Sequence, residues 1–164
     1  MTDKQIVVIY HKRCEDGFGA AYAAWKKFGD TAEYLPAGYG GEEVPEGLEG
    51  KEVYILDFCF EQPGAMTRLI SSTKKLVVLD HHQSSRGLVE SIPESIFDAN
   101  RSGATIAWSY FHPGKPIPKL MTYLEDGDTY RYALPETRDI FSYLVVQPYD
   151  FALWDDIVRR LEDE

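Results

Sequence analysis

The 164 residues carry a net charge of −10, with 44% hydrophobic and 27% charged side chains. That balance suits one globular domain with a sizeable core, residues 1–164. It excludes a membrane span, because no apolar stretch approaches the roughly 20 residues a bilayer needs, and without a basic stripe it argues against long duplex nucleic acid as a partner. The two cysteines, Cys14 and Cys59, supply no disulfide framework. Met1-Thr2-Asp3-Lys4 shows no signal-peptide pattern before the first apolar segment, so a cytoplasmic location is expected.

Apolar periodicity then alternates between strand and helix. Gln5 to Tyr10 reads as an aliphatic strand, and Gly17 to Phe28 as an Ala- and aromatic-rich helix stopped near Gly29. Gly17-Phe18-Gly19-Ala20-Ala21 lacks a full phosphate-loop pattern, and its small residues suit close helix packing. Ala32 to Leu35 is a short second strand, and the Gly-, Pro- and Glu-rich stretch Pro36 to Gly50 reads as loop. Glu52 to Asp57 is a third strand. Pro63 to Ser72 is a short helix, Leu76 to Asp80 a fourth strand and Ser95 to Asp98 a fifth. From Gly103 the pattern is helical, over Ala104 to Phe111, Lys119 to Glu125, Thr137 to Val146 and Phe151 to Glu162, with His112 on a surface loop. Strands separated by helices predict a three-layer α/β/α fold: a mostly parallel sheet of about five strands, with a helical C-terminal part.

The chemistry-bearing residues fall at strand ends. Strand one runs out into His11, Cys14, Glu15 and Asp16, strand three into Asp57 and strand four into Asp80-His81-His82. In a parallel sheet these C-terminal ends share one edge, where such folds place their ligand sites. Carboxylates with imidazoles suit manganese or a similar divalent ion. Two ions about 3.5–4 Å apart can polarise a phosphoryl group and activate water. Cys59, two residues after Asp57, shares its face if the strand continues, though packing is the commoner use of such a thiol. Arg101-Ser102-Gly103 opens a helix, whose amides and Ser102 could hold a substrate anion while Arg101 forks onto phosphate. Tyr130-Arg131-Tyr132 could stack a base, but reads more readily as core or wall.

The ordered set His11…Asp16-Gly17, Asp57, Asp80-His81-His82 and Glu125-Asp126-Gly127-Asp128 resembles the DHH phosphoesterase superfamily, over roughly residues 5 to 132. The resemblance implies a metal-dependent hydrolase of phosphodiesters or phosphoanhydrides in small or short substrates, such as short oligonucleotides, cyclic dinucleotides or polyphosphate. It implies that Asp57 bridges two ions, and that Asp16, His81 and either Asp126 or Asp128 bind one of them. His11 serves the other ion, Asp80 orients an imidazole, and His82 contacts phosphate or acts as an acid. It also supports the substrate contact at Arg101, Ser102 and Gly103.

Three features depart from the family. Cys14 stands where an aspartate is usual, and His11 lies one residue closer to it than in many members. If Cys14 is a ligand, the softer thiolate favours zinc or iron; if it stays protonated, that metal position is weak. The family's usual C-terminal substrate domain has no counterpart in this sequence. A second reading is therefore a catalytically weak relative that binds a phosphorylated ligand or a protein partner. Eleven tyrosines and three tryptophans could leave an apolar patch for a second copy of the chain.

Overall fold

A computed structural model of the chain describes residues 3–163. In chain order the elements are β1 (Ile6–His11), α1 (Glu15–Phe28), β2 (Ala32–Ala37), β3 (Glu52–Leu56), α2 (Ala65–Ser72), β4 (Lys75–Asp80), α3 (Arg86–Val89), β5 (Ile96–Phe97), α4 (Gly103–Phe111), α5 (Lys119–Asp128), α6 (Thr137–Leu144) and α7 (Phe151–Asp163). All five strands are parallel, in the order β2-β1-β3-β4-β5. The architecture is the expected three-layer α/β/α fold with a helical C-terminal part.

The central strands β1, β3 and β4 are buried on both faces, so their alternate residues feed two cores. Val8, Tyr54, Leu56, Val77 and Leu79 pack with α1, α4, α5 and α7 around Phe18, Ile106, Leu124 and Trp154. Val7, Ile9, Val53, Ile55 and Val78 pack with α2 and α3 around Met66, Leu69 and Val89. The small residues of α1 serve packing as expected. A Cβ on Gly19 would stand 2.6 Å from Leu124 Cδ1 and 2.9 Å from Ala104 Cβ, so α1 meets α4 and α5 without a spacer.

Several element ends differ from the sequence pattern for local reasons. β2 continues through Pro36, which an edge strand tolerates because one side of its backbone needs no partner. β3 stops one residue early, because Asp57 adopts φ +67° and turns the chain out of the sheet. α5 runs on to Asp128, since Gly127 fits beneath the Phe141 ring, which a Cβ would strike at 2.2 Å without movement of that ring. The 3₁₀ turn Gln83–Ser85 and the short α3 were not evident in the apolar pattern. His112 is half-buried rather than a loop surface residue: its ring lies 4.2 Å from that of Trp108, and Nε2 is 2.9 Å from the Ala23 carbonyl.

After β1 the chain moves outward to β2, then returns past β1 to form β3. The crevice between the C-terminal ends of β1 and β3 is therefore the topological switch point. Among the described residues no helix is long and apolar enough to cross a membrane.

Candidate metal centre

His11 closes β1, and Asp57 follows β3 directly across that crevice. A non-glycine residue at positive φ is uncommon, although aspartate tolerates it better than most. Here the conformation is pinned by a bond from the Asp57 N–H to the Leu79 carbonyl at 2.8 Å. It aims the carboxylate into the crevice rather than along the strand. Oδ2 lies 3.3 Å from His11 Nδ1 and accepts from the Cys14 thiol at 3.6 Å. Oδ1 lies 3.1 Å from His81 Nε2.

Asp16, in the first turn of α1, meets α4 end-on. Its carboxylate accepts from the backbone N–H of Gly103 at 2.6 Å and of Ala104 at 3.0 Å. Glycine is required at 103, where a Cβ would fall 2.7 Å from Asp57 Cβ. His81 Nε2 completes the convergence, 3.4 Å from Asp128 Oδ2 and 3.9 Å from Asp16 Oδ2.

Three buried atoms here, Asp57 Oδ1, His81 Nε2 and Asp128 Oδ2, have no hydrogen-bond partner. Buried polar atoms are normally paired, and leaving one unpaired costs about 1–3 kcal/mol. Ligand atoms of Asp16, His81 and Asp128 lie within 4.8 Å of one another, as do those of His11, Cys14 and Asp57, and those of Asp57, Asp80, His81 and His82. Asp57 and His81 each belong to two of these groups, and the two oxygens of Asp57 face different imidazoles, His81 and His11.

The electrostatics describe a site short of positive charge. Burial, then the neighbouring carboxylates, push the Asp16 and Asp128 carboxyls above the ordinary aspartate range. Burial opposes charge on Asp57 as well, but the His11 and His81 imidazoles hold it down at about 2. Burial likewise opposes a proton on His81, yet Asp57, Asp16 and Asp128 around it push its pKa up to about 9. Carboxylates this close disfavour joint ionisation unless a cation sits among them. Oxygen and imidazole donors with unsatisfied lone pairs fit a divalent ion.

Asp80 is wholly buried and fully employed. Oδ1 accepts from His81 N at 2.8 Å and sits 2.7 Å from His82 Nδ1, while Oδ2 accepts from Ser85 Oγ. The imidazole it orients is therefore that of His82, whose pKa rises chiefly through this contact. Burial, then Asp57, pushes the Cys14 thiol well up, so without an ion it is a protonated donor to Asp57. The short spacing from His11 to Cys14 does not prevent convergence, because one residue ends β1 and the other precedes α1.

Other expected site residues are used differently. Asp126, two residues before Asp128, turns away and accepts from Ala133 N, Leu134 N and Thr137 Oγ1. Ser102 is buried as the N-cap of α4, and the amide of Gly103 is taken by Asp16, so the anion at this helix start is internal. Arg101 binds the Thr105 carbonyl and Ser109 Oγ, and lies 3.6 Å from Glu125, rather than standing free to fork onto phosphate. Cys59 does not share the face of Asp57, because the strand ends before it. It is buried beside Ser85, its pKa pushed up to about 12 mainly by burial. Tyr130 and Tyr132 are exposed rather than part of the core.

Two neighbours were missed in the sequence. Tyr39 presents its ring to His11 at 5.3 Å and to His82 at 5.6 Å. Ser85 locks Asp80. For Tyr39 the signal was a tyrosine set among Gly38, Gly40 and Gly41; for Ser85 there was none.

An open parallel α/β sheet with an imidazole–carboxylate cluster at its switch point is the class this geometry defines. No family model matches the chain. It is 32% identical over 174 residues to the uncharacterized protein R106 of Acanthamoeba polyphaga mimivirus, in an alignment covering 96% of this chain and 41% of that protein. It is similar in fold to an uncharacterized protein from Helicobacter pylori G27 known from its crystal structure, with a TM-score of 0.58 and 19% identity, over 79% of this chain and 44% of the other. The chain thus spans less than half the length of each of these proteins.

Proposed function

We propose that this domain is a divalent-metal-dependent phosphoesterase of the DHH kind, hydrolysing a phosphodiester or phosphoanhydride in a small or short phosphorylated substrate. The observation that carries the reading is the trio of buried atoms on Asp57, His81 and Asp128, the two oxygens 3.1 and 3.4 Å from the His81 ring nitrogen yet forming no hydrogen bond, inside a carboxylate cluster. A structural network would have satisfied them.

Asp57, whose Oδ1 faces His81 and whose Oδ2 faces His11, would hold both ions where two bind, with Asp16, His81 and Asp128 on one side and His11 on the other. Manganese suits this oxygen and imidazole set; zinc or iron becomes the better fit if Cys14 ionises to join it. When bound, such an ion polarises the phosphoryl group and makes water a nucleophile near neutral pH. His82, braced by Asp80 and partly exposed, is placed to contact phosphate or to give a proton to the leaving oxygen. We place the activity in the cytoplasm, where two free thiols persist.

One observation favours a second reading, a weakly catalytic phosphoryl binder: the protonated Cys14 thiol leaves the His11 side short of a charged ligand. Metal analysis of the purified protein, paired with hydrolysis assays on two- to five-nucleotide RNAs, cyclic dinucleotides, pyrophosphate and polyphosphate, separates the two. The phosphoesterase retains manganese and turns over at least one substrate, and Asp57→Asn loses both while keeping its fold. Retained ligand without turnover supports the second reading. No ion and no turnover would falsify the first.

A further inference from the structure

The loop after Asp128 is built at a cost that packing does not explain. Tyr130 and Tyr132 both hold left-handed backbone, at φ +56° and +47°. Bulky residues there are strained by roughly 1–3 kcal/mol, and such strain persists only where the surroundings enforce it. Asp126 and the residues beside it do the enforcing. The Asp126 carbonyl accepts from Arg131 N at 3.0 Å and Tyr132 N at 3.1 Å, its carboxylate takes the next two backbone amides, and Tyr130 N donates to the Gly127 carbonyl at 3.0 Å. Arg131 ties the loop to its neighbours through the Asn100 carbonyl and Glu125.

What this rigid loop presents is aromatic. Tyr130 is 82% exposed, and its ring meets Tyr132 at 6.5 Å. Tyr132 is 40% exposed, with the Arg138 guanidinium 4.3 Å from its ring centre. An exposed ring contributes nothing to the core, and glycine would hold the same backbone without strain. Tyr130 follows two residues after Asp128, so the Cα atoms of the two lie at most about 7 Å apart.

We propose that Tyr130, backed by Tyr132 and Arg138, is a stacking subsite for the base of a nucleoside phosphate whose phosphoryl group lies at the cluster of Asp57, His81 and Asp128. The inference rests on the phosphoesterase reading for the phosphate end and deepens it: the favoured substrates carry a nucleobase, and bare polyphosphate is disfavoured. Stacking tolerates any base, because each offers a π face.

Calorimetric titration of the whole chain with adenosine 5′-monophosphate and with ribose 5-phosphate, both with manganese, tests it without requiring turnover. The nucleotide should bind about tenfold more tightly, the ratio expected for one stacked base. Tyr130→Phe should keep that preference. Tyr130→Gly should abolish it while melting no lower than wild type. Equal binding of the two ligands by wild type, or a preference that survives Tyr130→Gly, overturns the proposal. A tyrosine-dependent preference in protein that hydrolyses nothing leaves the subsite standing and removes the phosphoesterase. Pyrophosphate turnover with no preference does the reverse.

Discussion

Asp126 and Asp128 lie two residues apart at the end of one helix, the first buried and the second partly so, and meet opposite fates. Asp126 collects two backbone amides and a hydroxyl, and ties the end of α5 to the start of α6. Asp128 keeps an oxygen that nothing bonds, 3.4 Å from His81. A carboxylate whose acceptors are filled is part of the scaffold; one held in place with a lone pair unused is available to a ligand. The same contrast divides Asp80, wholly committed to His81, His82 and Ser85, from Asp57, half committed.

Exchanging each aspartate for asparagine is the widest test of this contrast. Asp128→Asn should cut manganese retention and turnover by at least about a hundredfold. Its melting temperature without metal should stay level or rise, because a like charge leaves a crowded site. Asp126→Asn should do the opposite, lowering the melting temperature and reducing activity only as far as the fold loosens. Thermal melts and metal analysis on both variants decide it. Equal loss of stability in the two would erase the distinction between scaffold and site.

A smaller effect probes how tightly scaffold and site abut. Gly103→Ala sets a methyl 2.7 Å from the Asp57 carboxylate and Cβ, on a helix start that also holds Asp16. Overpacking of this kind costs about 1–3 kcal/mol. Because the displaced group is the shared ligand, metal affinity should fall along with stability. A chemical denaturation curve that shifts while metal affinity stays unchanged would show that Asp57 tolerates movement.

How much of this the sequence discloses follows from what each signal depends on. The five strands, and the convergence of His11, Asp57 and His81, were legible because aliphatic runs and parallel pairing need only local pattern and one topological rule. The choice between Asp126 and Asp128 was not. Two helical steps turn a side chain by about 200°, so the two must face apart, but which faces the crevice depends on where α5 packs. The start of α4 was legible as an anion site, yet its anion is Asp16, 87 residues earlier, and only the packing of α1 on α4 reveals it. The exposure of Tyr130 and Tyr132 was hidden for a similar reason, since their positive φ values come from long-range bonds to Asp126.

The finest separation of the two aspartates is by pH, in protein kept free of divalent ions. Burial raises the Asp126 carboxyl, but bonds from Thr137, Leu134 and Ala133, with Arg131 nearby, carry it below its ordinary range. A folded-state pKa below the unfolded one means that the unfolded chain binds the proton more readily. The stabilisation is therefore complete above the ordinary aspartate value of about 3.9, and drains away as pH falls through the lower, folded value. The gap in melting temperature between wild type and Asp126→Asn should be full near neutral pH and close in that acid range. For Asp128 the sign reverses. Burial, then Asp57, raises its carboxyl, so ionisation opposes folding, and the advantage of Asp128→Asn should grow as pH climbs through and above the ordinary aspartate range. Parallel melting curves for the two variants from acid to neutral pH would place both carboxylates in the same environment and end the comparison.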